Sequence, residues 1–174
     1  SMEWRGDAVM SLSMEERMTL CNMAIEAGGK NGIIEADEVT TDYVKQRTDR
    51  PYKIYHSDED ANYFFKKTYN ASEMESIVAK PHSPDNKAKA SECEDVKLDR
   101  AYIGSCTGGK LTDFMAAAKL LKGKKVLIDT FIVPATREVE EDLHKEKIDG
   151  ETLVDIFKNA GAYLGDPSCA ACLG

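Results

Sequence analysis

Apolar and polar positions follow the clearest pattern in the second half of the chain. A strand is predicted at Arg100–Ile103, and a helix with one apolar side is predicted from Thr112 to Leu121. The apolar run that follows predicts a second strand at Lys125–Val133. Pro134 ends this strand because proline cannot donate to a strand ladder.

Two further helices and a short strand are predicted after Pro134. Thr136 caps a helix that runs to about Lys145, and a second helix spans Glu151 to Asn159 and ends at Gly161. Tyr163-Leu164 forms a short strand. The order of strand, helix, strand, two helices and strand predicts an α/β fold, a parallel sheet unit with flanking helices.

The first half of the chain predicts a smaller mixed α/β region. A capping box of Ser13 and Glu16 predicts a helix that runs to about Ala27. The polar stretch from Asn86 to Asp95 is typical of a linker. The other elements predicted here are a strand at Ile33–Ile34, a helix at Thr41–Gln46, a strand at Tyr63–Tyr69 and a loop at Pro81–Asn86.

Composition and charge narrow the classes of partner. Apolar residues make up 42% of the chain and charged residues 31%, as in ordinary globular proteins. The formal net charge of −8 argues against nucleic acid or an anionic membrane surface as a partner. No apolar run approaches the roughly 18 residues of a membrane helix, so no membrane span is predicted.

Five cysteines indicate a reducing compartment. Their number is odd and no secretory signal is evident, which argues against a disulfide framework and favours a cytoplasmic location. Cys21 lies on the predicted Ser13–Ala27 helix and is predicted to be a small buried apolar residue. Cys93 lies in the polar stretch and is predicted to be an incidental exposed thiol.

Cys106 follows the first strand of the α/β unit, where open α/β sheets bind ligands. Gly108 and Gly109 allow a tight turn and leave N–H groups at a helix start, an arrangement that favours negative charge. A cysteine that merely fills a tight turn is an equally good interpretation of Cys106 alone.

Cys169 and Cys172 form a C-x-x-C pair in a loop of small residues. Such a pair serves as a redox dithiol, half of a zinc site or part of an iron–sulfur site. Together with Cys106, the pair is consistent with a four-iron cluster held by three cysteines. One iron is then open and can act as a Lewis acid on a hydroxyl leaving group.

Two segments of the chain resemble the iron–sulfur hydro-lyases of the aconitase superfamily. Ile103–Lys110, I-G-S-C-T-G-G-K, is similar to the superfamily signature G-S-C-T-N-G-R, and Pro167–Gly174, P-S-C-A-A-C-L-G, is similar to P-x-C-G-x-C-L-G. Lys110 stands where the family usually has Arg. The similarity extends along nearly the whole chain and is greatest to the branch that serves leucine biosynthesis.

The resemblance implies a hydro-lyase whose 4Fe-4S cluster is bound by Cys106, Cys169 and Cys172. It implies a small-molecule hydroxy acid as substrate and a small-subunit (swivel-domain) partner. The family's catalytic carboxylate has no secure counterpart here, so the catalytic residues stay unassigned. Because the family's large subunit is over twice as long, we expect an internal fragment that is inactive alone.

The resemblance also implies a division into three parts. Residues 1–35 are expected to be the tail end of a preceding aconitase-like domain, and residues 36–95 a small mixed α/β region ending in the polar linker. Residues 96–174 are expected to be the cluster-binding α/β domain, truncated at its C-terminus. Two alternatives remain open, namely another dehydratase of the superfamily and a non-catalytic iron–sulfur or zinc-binding module.

Overall fold

The computed structural model describes residues 1–169, which fold as two compact units. The first unit comprises Ser1–Val96, and the second begins at Lys97. The change of unit therefore falls at the end of the polar stretch Asn86–Asp95. The division of the chain into three parts stays a prediction.

The first unit combines short helices with two small sheets. In chain order its elements are β1 (Met2–Trp4), α1 (Asp7–Met10), α2 (Met14–Asn22), β2 (Gly32–Ile34), α3 (Glu38–Lys45), a 3-10 helix (Ala71–Glu73), β3 (Ile77–Ala79), β4 (Lys87–Lys89) and a second 3-10 helix (Ala90–Cys93). Strands β1 and β2 pair in parallel, whereas β3 and β4 pair antiparallel.

The start of α2 confirms the predicted capping box. The Ser13 hydroxyl accepts a hydrogen bond from the Glu16 N–H, and the Glu16 carboxylate accepts one from the Ser13 N–H at 2.8 Å. The helix ends at Asn22, earlier than predicted, because residues 23–28 fold into turns. The Gly29 N–H donates to Ala24 O at 2.8 Å and closes these turns.

Two predictions in the first unit are wrong. Tyr63–Tyr69 is irregular and not a strand, and it leaves Phe64 and Phe65 exposed. Its aromatic residues are consecutive, so they cannot alternate between the two faces of a strand as pairing on a half-buried sheet requires. The stretch Asn86–Asp95 contains β4 and a 3-10 helix where only linker was predicted.

The tight loop before β4 explains why this polar sequence forms a strand. The Lys80 N–H donates to Asn86 O at 2.7 Å, and the Asn86 side chain donates to Pro81 O at 2.7 Å. These bonds close the predicted loop at Pro81–Asn86 and bring β4 beside β3. Loop geometry fixes strand register without any apolar pattern.

A buried ion pair joins α2 to α3. Arg17 is 2% exposed, and its guanidinium donates to both Asp37 carboxylate oxygens, at 2.6 and 2.8 Å. The same guanidinium donates to Met10 O and Leu12 O, while Asp37 caps α3 through the Thr40 N–H. The hydrogen bonds from Arg17 lower the pKa of Asp37 to about 2, against the partial burial that opposes ionisation.

The second unit contains the parallel sheet predicted from the sequence. Its elements are β5 (Arg100–Gly104), α4 (Ser105–Gly108), α5 (Leu111–Leu121), β6 (Asp129–Val133), α6 (Arg137–Lys145), β7 (Lys147–Ile148), β8 (Glu151–Thr152), α7 (Leu153–Ala160) and β9 (Tyr163–Leu164). The strand order is β5-β6-β9, and both pairings are parallel. This confirms the predicted fold class.

Apolar faces of three helices form the core of the second unit. Phe114 of α5, Leu143 of α6 and Phe157 of α7 are fully buried with Ile132 of β6. The Phe114 and Phe157 rings meet edge to face at 6.2 Å between centroids, a favoured aromatic geometry. The helix positions that the sequence pattern predicted to form an apolar face are therefore the ones that are buried in the core.

Two boundaries in the second unit differ from those predicted. Strand β6 begins at Asp129 and not at Lys125, because Lys125 and Val126 bond to the end of α7 instead of to the sheet. The small hairpin of β7 and β8 was missed, and α7 starts at Leu153 with Thr152 as its cap. Among residues 1–169, no helix is both long and apolar enough to cross a bilayer.

We expect acid to destabilise the first unit through Asp37. A carboxyl whose pKa is lowered by folding stabilises the fold above its unfolded pKa, near 3.8, and that stabilisation is lost as the pH falls toward about 2. The loss is about 2 kcal/mol. Fluorescence of Trp4, the single tryptophan of the chain, reports urea unfolding of this unit at each pH.

The variant Asp37→Asn is the control for this prediction. It removes the titrating group, so its unfolding midpoint is expected to be lower at pH 7 and to change less between pH 5 and pH 2. Equal pH dependence in the two proteins would contradict the role of Asp37.

Candidate metal centre

The site is built where the parallel strands of the second unit end. Gly104 of β5 is in register with Val133 of β6, so the carboxyl ends of these strands lie side by side. Cys106 follows β5 within two residues, and Cys169 follows β9, which pairs with the other edge of β6. Because β5 and β9 flank β6 and run parallel to it, the loops that follow them lie at the same edge of the sheet.

Two glycines let the Cys106 turn lie directly against the backbone of β6. Gly104 has a φ of +140°, a backbone conformation that favours glycine. A Cβ on this residue would lie 1.9 Å from Val133 O. A Cβ on Gly109 would lie 2.2 Å from Ser105 O. The Ala135 N–H donates to Gly109 O at 2.9 Å. Only glycine is compatible with such backbone approaches.

Ser105 occupies a strained position beside Cys106. Its φ is +68°, in the left-handed region that non-glycine residues rarely adopt. The residue is 7% exposed, and its Oγ has no hydrogen-bond partner within residues 1–169. Strain and an unpaired buried hydroxyl are both costly, and they concentrate at functional sites.

The loop that carries Cys169 is fixed to the end of β6. The Gly165 N–H donates to Ile132 O at 2.9 Å, and the Ser168 N–H donates to Pro134 O at 3.3 Å. This path places the Cys169 Sγ 3.8 Å from the Cys106 Sγ. Both cysteines are exposed, so a metal ion or cluster can reach their sulfurs.

The third predicted ligand, Cys172, lies outside the described residues, and the assignment of three ligands stays a prediction. Within residues 1–169, no group of three His, Cys, Asp or Glu side chains has the geometry of a metal site. Cys21 and Cys93 belong to the first unit, where both are half-buried. Cys93 is therefore less exposed than predicted, and Cys21 is less buried than predicted. Burial raises the pKa of the Cys21 thiol, as expected for a packed cysteine.

The donor chemistry of the site fits a thiolate-bound metal group. Two sulfurs face solvent together, and the buried Ser105 hydroxyl beside them finds no partner in the described part of the chain. The spacing of 3.8 Å matches one edge of a tetrahedral single-metal site, because Zn–S bonds of about 2.3 Å separate two sulfurs by about 3.8 Å. Ligation of two different irons of one cluster requires the sulfurs to move apart.

Sequence reasoning missed the burial of Lys110. Its side chain lies under the Cys106 turn, is 8% exposed, and donates from Nζ to Cys106 O and Thr107 O. The sequence feature that could have indicated this burial is the position of Lys110 directly after Gly109, at the end of the Ile103–Lys110 motif. A lysine so close to a candidate ligand contributes a fixed positive charge.

An open cavity of about 520 Å³ lies in the first unit, and the residues that line it fall between Glu3 and Ser57. Its lining includes Ile34, Val44 and Ile54 with the pair Glu35 and His56, whose side chains are 2.7 Å apart. This mixed lining carries no cysteine, so the cavity adds no ligand to the candidate metal centre.

Comparison with known proteins identifies the family. The family described as "Aconitase family (aconitate hydratase)" matches residues 1–93 and 86–174, which together include the whole chain. The chain belongs to the aconitase family. The similarity to the family therefore extends beyond the cysteine motifs to the whole length of this aconitase-family chain.

Curated relatives carry one name at high identity. The chain is 53% identical over 180 residues to the "3-isopropylmalate dehydratase large subunit, chloroplastic" of Arabidopsis thaliana, with 100% of the chain and 35% of the relative covered. It is 48% identical to the large subunit of Heliobacterium modesticaldum and 46% identical to that of Desulfitobacterium hafniense, covering 41% of each. The aconitase-family chain therefore spans about two fifths of these relatives.

We expect alanine to be tolerated at Gly108 but not at Gly109. A Cβ on Gly108 meets nothing within 4 Å, whereas one on Gly109 collides with Ser105 O. Overpacking of this kind costs about 1–3 kcal/mol, so Gly109→Ala should lower the free energy of unfolding by that amount. Urea unfolding followed by circular dichroism measures the difference.

Gly108→Ala is the matched control because it adds the same methyl group to the same turn. Its effect should stay within about 0.5 kcal/mol. Equal destabilisation by the two variants would contradict the backbone contact described for Gly109.

Proposed function

We propose that this chain is the cluster-binding part of the large subunit of 3-isopropylmalate dehydratase. The enzyme would interconvert 2-isopropylmalate and 3-isopropylmalate by removing and re-adding water, in leucine biosynthesis. The observation that carries the proposal is the convergence of Cys106 and Cys169 at the carboxyl edge of a parallel sheet, in an aconitase-family chain. The relatives' shared name supports the substrate.

The proposed cofactor is a 4Fe-4S cluster held by Cys106, Cys169 and Cys172. When bound, such a cluster with three thiolate ligands supplies an open iron that polarises the substrate hydroxyl as a Lewis acid. The chain's own contribution is to hold the ligands. The Gly104–Gly109 turn fixes Cys106, and the backbone bonds of Gly165 and Ser168 to the end of β6 fix the approach of Cys169.

The base that takes the substrate proton and the groups that bind its carboxylates are not assigned to residues of this chain. Hydro-lyase chemistry needs both in addition to a Lewis acid. We propose that they come from the remaining three fifths of the large subunit and from a small subunit with a swivel domain. The chain's coverage of 35–41% of its relatives supports this division of labour.

We propose a reducing location such as the cytoplasm, because an iron–sulfur site and free cysteines require one. The Arabidopsis relative is named chloroplastic, and a plastid location is compatible with the same chemistry. The net charge of −8 favours a small-molecule substrate over nucleic acid or an anionic membrane as partner.

Homoaconitase is the alternative within the family. It would act on a related hydroxy acid with the same cluster chemistry, and the relatives' names favour isopropylmalate. A non-catalytic zinc-binding module is the alternative from another class. The sulfur separation of 3.8 Å favours it specifically, because that distance suits two thiolates on a single tetrahedral ion.

Anaerobic reconstitution with iron and sulfide is expected to give a chain with the broad visible absorption of an iron–sulfur cluster. Cys106→Ser, Cys169→Ser and Cys172→Ser should each lose the absorption and most of the bound iron, because each removes one of three thiolates. Iron, sulfide and visible absorbance are measured per chain.

Cys21→Ser and Cys93→Ser are the matched controls and should keep the cluster. A colourless chain that binds one zinc ion through the same cysteines would contradict the proposed cluster and support the zinc-binding module. Cluster binding that survives Cys106→Ser would refute the ligand assignment.

We also expect the reconstituted 174 residues to show no turnover of 2-isopropylmalate. Loss of a general acid or base costs about 10²–10⁴-fold in rate, and at least one such group is proposed to lie outside the chain. A full-length relative with its small subunit serves as the positive control. Turnover by the chain alone would show that its own residues complete the active site.

A further inference from the structure

Lys110 is a buried lysine that the proposed reaction does not use. Its side chain is 8% exposed, although lysine is almost never buried unless it is paired. Removing an ammonium group from water is costly, so its hydrogen-bond partners must offset that cost. Those partners identify what the residue does.

The Lys110 ammonium binds the backbone of the turn that carries Cys106. It donates to Cys106 O at 3.4 Å and to Thr107 O at hydrogen-bond distance. Both carbonyls belong to α4, a helix of only four residues. The last carbonyls of a helix have no partner within it, and a cation there offsets both the missing donors and the negative end of the helix dipole.

The backbone of Lys110 is fixed independently of its side chain. Its N–H donates to the Asp113 carboxylate at 3.0 Å, and its carbonyl accepts from the Phe114 N–H at 3.2 Å in the first turn of α5. Phe114 is fully buried in the core. The backbone of Lys110 is thereby anchored to the packed helix α5, while its ammonium donates to the Cys106 turn.

We propose that Lys110 is a positioning residue for the metal group, which it serves in two ways. It clamps the carbonyls of Cys106 and Thr107 so that the turn holds the Cys106 sulfur toward the metal. It also places a positive charge beside a thiolate-bound cluster, which is negative, and the burial of Lys110 reduces the screening of that charge by water. The inference rests on the proposed function and deepens it.

The test compares Lys110→Met with Lys122→Met in the 174-residue chain. Lys122 is a matched control because its ammonium also donates to a backbone carbonyl in the second unit, Ile148 O at 2.6 Å, and pairs with Asp149. Its partners lie in the hairpin of β7 and β8 and not in the Cys106 turn. Methionine keeps the length of the lysine stem and removes the charge.

In the metal-free chain, hydrogen exchange of the amides of residues 104–110 is the first measurement. Lys110→Met is expected to raise exchange in this segment, and Lys122→Met is expected to leave it unchanged. Wild-type exchange in Lys110→Met would overturn the clamping role. Because the chain is metal-free in this measurement, its result tests the clamping role whether or not a cluster can bind.

In the reconstituted chain, the reduction potential and the rate of iron loss to a chelator are measured. Lys110→Met should shift the potential to more negative values, because loss of a positive charge disfavours the more negative reduced cluster. It should also weaken metal retention by about 10–100-fold, as loss of an outer partner of a metal ligand does. Lys110→Arg retains the charge and should keep the wild-type potential.

The outcomes separate the inference from the proposed function. A wild-type chain that takes up no cluster refutes the proposed function, and hydrogen exchange alone then decides the clamp. A wild-type chain that takes up a cluster, with Lys110→Met matching Lys122→Met in potential and iron loss, overturns the electrostatic role. Should Lys110→Met fail to fold, Lys110→Gln keeps an NH2 donor group without the charge and takes its place in the measurements of potential and iron loss.

Discussion

Direct contact between backbones at the carboxyl edge of the sheet determines the geometry of the site. The turn after β5 lies so close to β6 that a methyl group on Gly104 would overlap Val133 O. That approach forces the left-handed conformation of Ser105 and directs the chain into the short helix that carries Cys106. The loop after β9 reaches the same edge because it also bonds to the end of β6.

The two sulfurs illustrate how one scaffold is compatible with two kinds of metal group. Their separation of 3.8 Å suits a single ion, whereas a cluster needs them farther apart. The Cys106 side is held by backbone contacts and by Lys110, and the loop before Cys169 bonds to the end of β6 through the Gly165 and Ser168 N–H groups.

The first unit is held together by polar contacts more than by a core. The buried guanidinium of Arg17 connects α2, α3 and the carbonyls before α2, and the Glu3 carboxylate of β1 accepts hydrogen bonds from Ser57 and Tyr63 of the irregular segment. The hydrogen bond from Tyr63 is the main cause of the lowered pKa of Glu3. Phe64 and Phe65 beside Tyr63 remain exposed.

The sequence by itself determined the elements whose signals are local. The Ser13 capping box, the Thr136 cap, the Gly161 helix end and the apolar faces of α5 and α7 depend on neighbours within a turn or two, so their positions followed from the pattern. The parallel order of the second unit and the placement of Cys106 at a strand end followed from the same alternation of elements.

Only the tertiary structure decided the features that depend on residues distant in the chain. The polar strand β4 forms because a closed loop brings it to β3, and the pKa of Asp37 is lowered because Arg17 of another helix donates hydrogen bonds to it. The 3.8 Å approach of Cys169 to Cys106 and the burial of Lys110 beneath their site likewise arise from chain packing. Hydrophobic periodicity records which side of an element is buried, but it carries no information on which distant group lies against it.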